Sequence, residues 1–137
     1  GDGPMSSAVE LAQGGSLHWV GRLSASDVSA LLQQSNLLCL PTRSEGFSTI
    51  LLEAAACGCP AVVTDVGGAR ELIPNSEYGT IIESMSATTV EAAVYLMASQ
   101  RSVLCKQSKS IQELVELGHA WANSAEKLCS AFAKAKD

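Results

Sequence analysis

Short apolar runs alternate with helix-like segments along this chain, and that alternation limits its fold more than any other feature. Four runs read as strands: Leu17–Val20, ended by Gly21; Asn36–Leu40, stopped by Pro41; Ala61–Thr64, opened by Pro60; and Gly79–Ile82. Pro4 opens a helix that extends to about Gln13 and stops at Gly14-Gly15. Ser24 or Ser26 caps a second helix, where Val28, Leu31 and Leu32 recur at helical spacing. A third runs from about Ser48 to Cys57, with Gly58 placed to end it. A short fourth covers Ala69 to Ile73 before Pro74, and from Ser86 the chain is helical to its end, broken near Gln100 and Gly118. Continuous apolar strands separated by helices predict an α/β fold: a Rossmann-like parallel sheet with flanking helices and a helical C-terminus. No repeat, linker or low-complexity stretch divides the chain, so 1–137 reads as one domain.

Composition narrows the function classes. Over 137 residues, 47% are hydrophobic, enough for one core, and only 4% are aromatic, so Leu, Val, Ile and Ala must fill it. Fourteen acidic residues against nine basic give a net charge of −5, which argues against nucleic acid as a partner. No apolar run approaches the roughly eighteen residues of a membrane span, and no signal peptide is legible; the expected location is cytoplasmic. Five cysteines (Cys39, Cys57, Cys59, Cys105 and Cys129) lie in apolar stretches without regular spacing, as reduced buried thiols do. Cys57-Gly58-Cys59 lacks a second Cys/His pair at ligand spacing, so these are expected to be core residues and not zinc ligands.

The chemistry concentrates in Pro41 to Glu71, PTRSEGFSTILLEAAACGCPAVVTDVGGARE. It starts where a strand gives way to a turn and a helix, the end of an open α/β sheet at which ligands bind. Gly46 permits close backbone approach, and the free N–H groups at a helix start near Ser48 or Thr49 favour an anion such as a diphosphate. Glu53 has Ile50, Leu51, Leu52, Ala54, Ala55 and Ala56 around it, so the helix reads as buried nearly all round. A carboxylate there needs a partner: ligand hydroxyls, backbone N–H groups and a hidden Arg all fit the spacing. Glu45, in the turn, reads alone as a solvated carboxylate.

Taken together, these residues resemble the family 4 glycosyltransferases (group 1). Glu45-Gly46-Phe47-Ser48 leads to Glu53-Ala54 with seven residues between the two glutamates, the E-x7-E pattern. Ala56-Cys57-Gly58, Pro60 to Asp65, and Val66-Gly67-Gly68 with Glu71 flank it in the family's order. Gly1-Asp2-Gly3-Pro4 resembles the turn after the family's second strand, Leu17 to Gly21 its third strand, and Trp121 with Ala125-Glu126-Lys127-Leu128 the closing helix.

The resemblance implies a GT-B fold with a nucleotide diphosphate-sugar donor bound between two domains. Glu45 would hold the sugar and orient its anomeric carbon as the catalytic residue; Glu53 would accept from both ribose hydroxyls. Backbone N–H groups of Gly46, Phe47 and Ser48 would meet the sugar, and those of Thr49 and Ile50 the diphosphate. Arg22 is carried over as a base-pocket residue, though by itself it reads as a surface arginine. Arg43 and Arg70 also read as surface residues, and of the two Arg43 is the one expected to approach phosphate. Gly67-Gly68 reads as a tight turn beside the cleft, with Glu71 bonding backbone there, and His18 and His119 read as structural.

The resemblance implies no cofactor and no metal, and no Asp-x-Asp pair stands in the sequence to hold one. A UDP-sugar is preferred over GDP and ADP sugars as the commoner donor. Measured against the family, the chain lacks two earlier strands, bearing a Gly-Arg pair and a Lys, and the whole N-terminal acceptor domain. Those parts are expected from a missing domain or a partner chain, and peripheral membrane association of the full enzyme is compatible with this. In the family's strand order, Leu17–Val20 then pairs with Asn36–Leu40 or waits for another polypeptide. A non-catalytic subunit, or a remnant that serves as a packing module, is the alternative reading.

Overall fold

The computed structural model describes residues 2–118 and Asn123. Three parallel strands form the sheet in the order β1-β2-β3: β1 (Leu38–Leu40), β2 (Ala61–Thr64) and β3 (Thr80–Ile82). Leu38 stands opposite Ala61 and Leu40 opposite Val63, while Val62 faces Thr80 and Thr64 faces Ile82. Helix α3 (Thr49–Ala56) makes the first crossover and α4 (Ala69–Leu72) the second. Before β1 come α1 (Ser6–Ala12) and α2 (Ala25–Gln34); after β3 come α5 (Ala87–Ser99) and α6 (Arg101–Gly118).

All four residues of β2 are buried, as a central parallel strand requires. On one face Val63 and Ala61 pack with Leu51 and Ala55 of α3, Leu72 of α4, and Ile111 and Val115 of α6. On the other, Val62 and Ile82 meet Met97, Val90 and Ala93 of α5. Helices therefore cover both faces, the α/β architecture that the alternation predicts. No helix among the described residues is long and apolar enough to cross a membrane.

Three serines start helices by accepting a backbone N–H: Ser24 from Asp27 at 3.2 Å, Ser48 from Leu51 at 3.4 Å, and Ser86 from Thr89 at 3.1 Å. Ser24, rather than Ser26, is thus the cap of α2. At α5 the Ser86→Ala variant should lose about 1 kcal/mol of stability in a urea titration. Ser86→Asp, which keeps an acceptor, should lose less; equal losses would show that the bond contributes nothing. Gly58 ends α3 at φ 67°, in the left-handed region.

Leu17–Val20 is not a strand. Among the described residues Leu17 makes only an isolated antiparallel bridge to Gly14, and β1 pairs with β2 alone. A strand exists only through its neighbour, and here Leu17 and Val20 stay exposed without one. The thiols also differ from expectation: Cys59 is buried and Cys57 half-buried, but Cys39 and Cys105 are exposed, and all four are unbridged. Cys39 sits on edge strand β1, whereas α5 packs over β2 and β3 and leaves that stretch of sheet open. Burial pushes the Cys59 thiol pKa up, with the neighbouring Cys57 adding to the rise against an opposing backbone hydrogen bond from Leu38. His18 is exposed. Cys129, His119, Trp121 and Ala125 to Leu128 lie outside the described residues.

Candidate functional site

Parallel strands deliver their following loops to one edge of the sheet. The loop Pro41–Ser48 leaves β1 and the turn Asp65–Gly68 leaves β2 side by side, because Leu40 and Val63 are register partners. Two contacts weld them. The Thr42 N–H donates to Thr64 Oγ1 at 3.0 Å, while the Thr64 hydroxyl donates back to the Thr42 carbonyl. The Thr42 hydroxyl in turn donates to the Ser44 carbonyl at 3.2 Å, folding the loop over.

Further along, Gly67 lies against the backbone of Glu45 and Gly46. Its φ is 52°, and a Cβ there would overlap both of their carbonyl oxygens. The Gly68 N–H donates to the Gly46 carbonyl at 2.8 Å, and a Cβ on Gly68 would come within 2.6 Å of Phe47 Cδ2. The segment Glu45-Gly46-Phe47 thus rests directly on Val66-Gly67-Gly68. Sequence reading placed the two glycines beside the cleft but missed this contact; the paired glycines were its only signal.

Glu45, Gly46 and Phe47 are exposed along the top of this loop, and Ser48 caps α3. Thr49 and Ile50 form the first turn of α3, where N–H groups have no acceptor within the helix. Glu53 corrects an expectation: it is exposed, not buried. Leu51 and Ala55 turn to the sheet and α6, and Ala54 and Ile50 toward α2. The remaining direction belongs to Thr49, Glu53 and Ala56, an exposed stripe at spacings of four and three. Glu53 therefore carries no burial cost that would demand a partner inside this chain.

Arg22 is not brought to the Glu45 loop. Its side chain is 83% exposed, lies 3.8 Å from Asp2, and stands on the rim of an open groove of about 450 Å³ along β1, lined by Val20, Leu31, Leu38 and Ile50. Arg43 is exposed. Arg70 grips Asp65 with two nitrogens: Nε to Oδ1 at 2.9 Å and to Oδ2 at 3.0 Å, and Nη2 to Oδ2 at 2.6 Å. Those hydrogen bonds and the Asp65 charge hold the guanidinium pKa above its usual value against an opposing desolvation, and Glu83 adds a lesser push in the same upward direction. Glu71 bonds the turn through its main chain, its N–H donating to the Gly68 carbonyl at 3.0 Å.

Beneath the Glu45 loop the enclosed space is about 10 Å³, no more than one water could occupy. A ligand here would lie on an open face. An open pocket of about 350 Å³, lined by Asn36, Pro60, Leu104, Arg101 and Lys109, sits at the opposite ends of the strands. It is remote from the loops that α/β folds use for chemistry.

The family of glycosyl transferases group 1 matches residues 5–127. An N,N'-diacetylbacillosaminyl-diphospho-undecaprenol alpha-1,3-N-acetylgalactosaminyltransferase of Campylobacter jejuni is 29% identical over 109 residues, covering 80% of this chain and 28% of the relative. The chain therefore spans between a quarter and a third of that relative's length. The structure of sucrose-phosphate synthase from Thermosynechococcus elongatus superposes with a TM-score of 0.83 at 20% identity, over 98% of this chain and 36% of that one. The C-terminal domain of a group 1 glycosyl transferase from Francisella tularensis superposes with a TM-score of 0.67 at 20% identity, over 74% of this chain and 53% of that one. At such identities the structural likenesses speak for the fold, that of the C-terminal domain of GT-B glycosyltransferases. With the family match spanning nearly the whole chain, the conclusion is direct: this chain belongs to the glycosyl transferases group 1 family.

Proposed function

We propose that this chain is the donor-binding part of a family 4-type retaining glycosyltransferase, which moves a hexosyl group from a nucleotide diphosphate-sugar to an acceptor hydroxyl. One observation carries the reading. The Glu45–Ser48 loop runs over the carboxyl ends of β1 and β2 into the open first turn of α3, and Glu53 stands exposed on that same helix. Glu45 holds the sugar, and the N–H groups of Gly46, Phe47 and Ser48 bond its hydroxyls. Those of Thr49 and Ile50 take the diphosphate, where the positive end of α3 offsets charge growing on the leaving group. Glu53 accepts from both ribose hydroxyls.

Departure and attack on one face of the sugar retain the anomeric configuration, and no metal takes part. A UDP-sugar is the preferred donor; Arg22 would reach its base only from the rim of the β1 groove. Because the loop is open to solvent, catalysis belongs to an assembly in which further protein covers the donor: the acceptor-binding domain, or a partner chain that supplies it. The chain's coverage of 28% of its Campylobacter relative supports that assembly.

Saturation-transfer NMR with UDP-, GDP- and ADP-sugars tests the reading. Transfer to the ribose protons of one donor is expected, with affinity falling about tenfold in Glu53→Gln as charge-assisted bonds weaken. No transfer from the folded chain to any donor would sink the proposal of an autonomous donor site.

A further inference from the structure

The pair Asp65–Arg70 brackets the turn that supports the Glu45 loop. Asp65 follows β2 directly and Arg70 is the second residue of α4, so their bidentate contact closes a ring around Val66, Gly67, Gly68 and Ala69. Inside the ring, Val66 N–H donates to the Thr64 carbonyl at 2.9 Å and Ala69 N–H to the Val66 carbonyl at 3.2 Å. The outer surface of this turn is Gly67, pressed on the carbonyls of Glu45 and Gly46, with the Gly68 N–H bonded to Gly46.

The two side chains are 65% and 42% exposed, and neither packs in a core cluster. A surface pair of this kind adds little to global stability. Its planar fork, however, fixes direction as well as distance, which a lysine could not do. What it constrains is the path of the turn, and through Gly67 and Gly68 the path of the backbone that presents Glu45.

We infer that Arg70 is a positioning residue for the sugar-binding loop: it acts through Asp65 and the Gly67-Gly68 turn, touches no substrate, and sets recognition of the sugar rather than of the nucleotide. This rests on the donor-binding reading for its ligand, though its geometry stands independently.

The test compares wild type, Arg70→Lys, Arg70→Gln and Gly67→Ala for binding of a UDP-sugar and of UDP alone, with amide spectra of the uncomplexed chain beside them. Both Arg70 variants should keep the thermal midpoint, shift the amides of Gly46, Phe47 and Ser48, and weaken the UDP-sugar by about fivefold, the ceiling for a surface pair. UDP alone should weaken by less than half as much on the logarithmic scale. Gly67→Ala should move the same amides further; should it fail to fold, the Arg70 variants decide alone. Equal weakening of both ligands, or unmoved loop amides, would overturn the inference. Were wild type to bind neither ligand, the donor-binding reading would fail first, and the amides of Gly46 to Ser48 would still decide whether Arg70 positions the loop.

Discussion

Replacing Leu51 by alanine should lower the stability of this domain by about 3 kcal/mol, within the range of buried leucine truncations. Leu51 is 2% exposed and sits where α3 meets the sheet, against Val63 on one side and the α6 residues Ile111 and Val115 on the other. Three elements share the void that truncation would leave, and none can close it without dragging its own contacts apart. Urea titration reads the loss as a lower midpoint at constant slope. Leu51→Met, which conserves volume, should cost less than about 1.5 kcal/mol. A loss below about 1 kcal/mol for alanine would mean that α6 settles into the space, contrary to a rigid junction.

The second large effect concerns Thr64, which is 5% exposed and bonds both main-chain groups of Thr42 through one hydroxyl. Thr64→Val keeps the shape and removes that hydroxyl, stranding a donor and an acceptor at the root of the Glu45 loop. The expected cost is about 2 kcal/mol, with faster hydrogen exchange at Thr42. Thr64→Ser retains the bonds and gives up one methyl group, about 0.8 kcal/mol. If serine proves the more damaging of the two, packing rather than hydrogen bonding holds this position.

How much was legible beforehand differs by element. The helices and the three sheet strands announced themselves because each signal is local: Ser86 and Ser48 cap, Gly58 and Pro74 stop, and Ala61–Thr64 is apolar throughout. Leu17–Val20 has strand composition, but pairing is a property of two segments, and composition reports on only one of them at a time. Glu53 failed for a related reason. Apolar neighbours in sequence suggested burial on all sides, yet three-dimensional packing needs only some directions of a helix, and Thr49, Glu53 and Ala56 share the one left over. The E-x7-E spacing was visible; the seat of the Glu45 loop on Gly67 was not, since it joins residues from separate crossovers.

The strand order carries a consequence for how the chain acquires its fold. Because β1, β2 and β3 are neighbours in the same order in which they are synthesised, β2 and then β3, on leaving the ribosome, each find a pairing partner already made. Each closure spans a single crossover, which keeps the entropic cost of ring closure below that of a strand order with wider-reaching connections. Helix α6 then arrives to seal Leu51 and Val63 beneath Ile111 and Val115. Growth of the sheet can therefore run ahead of α6, and the packing that locks Leu51 and Val63 in the nascent domain waits for that helix.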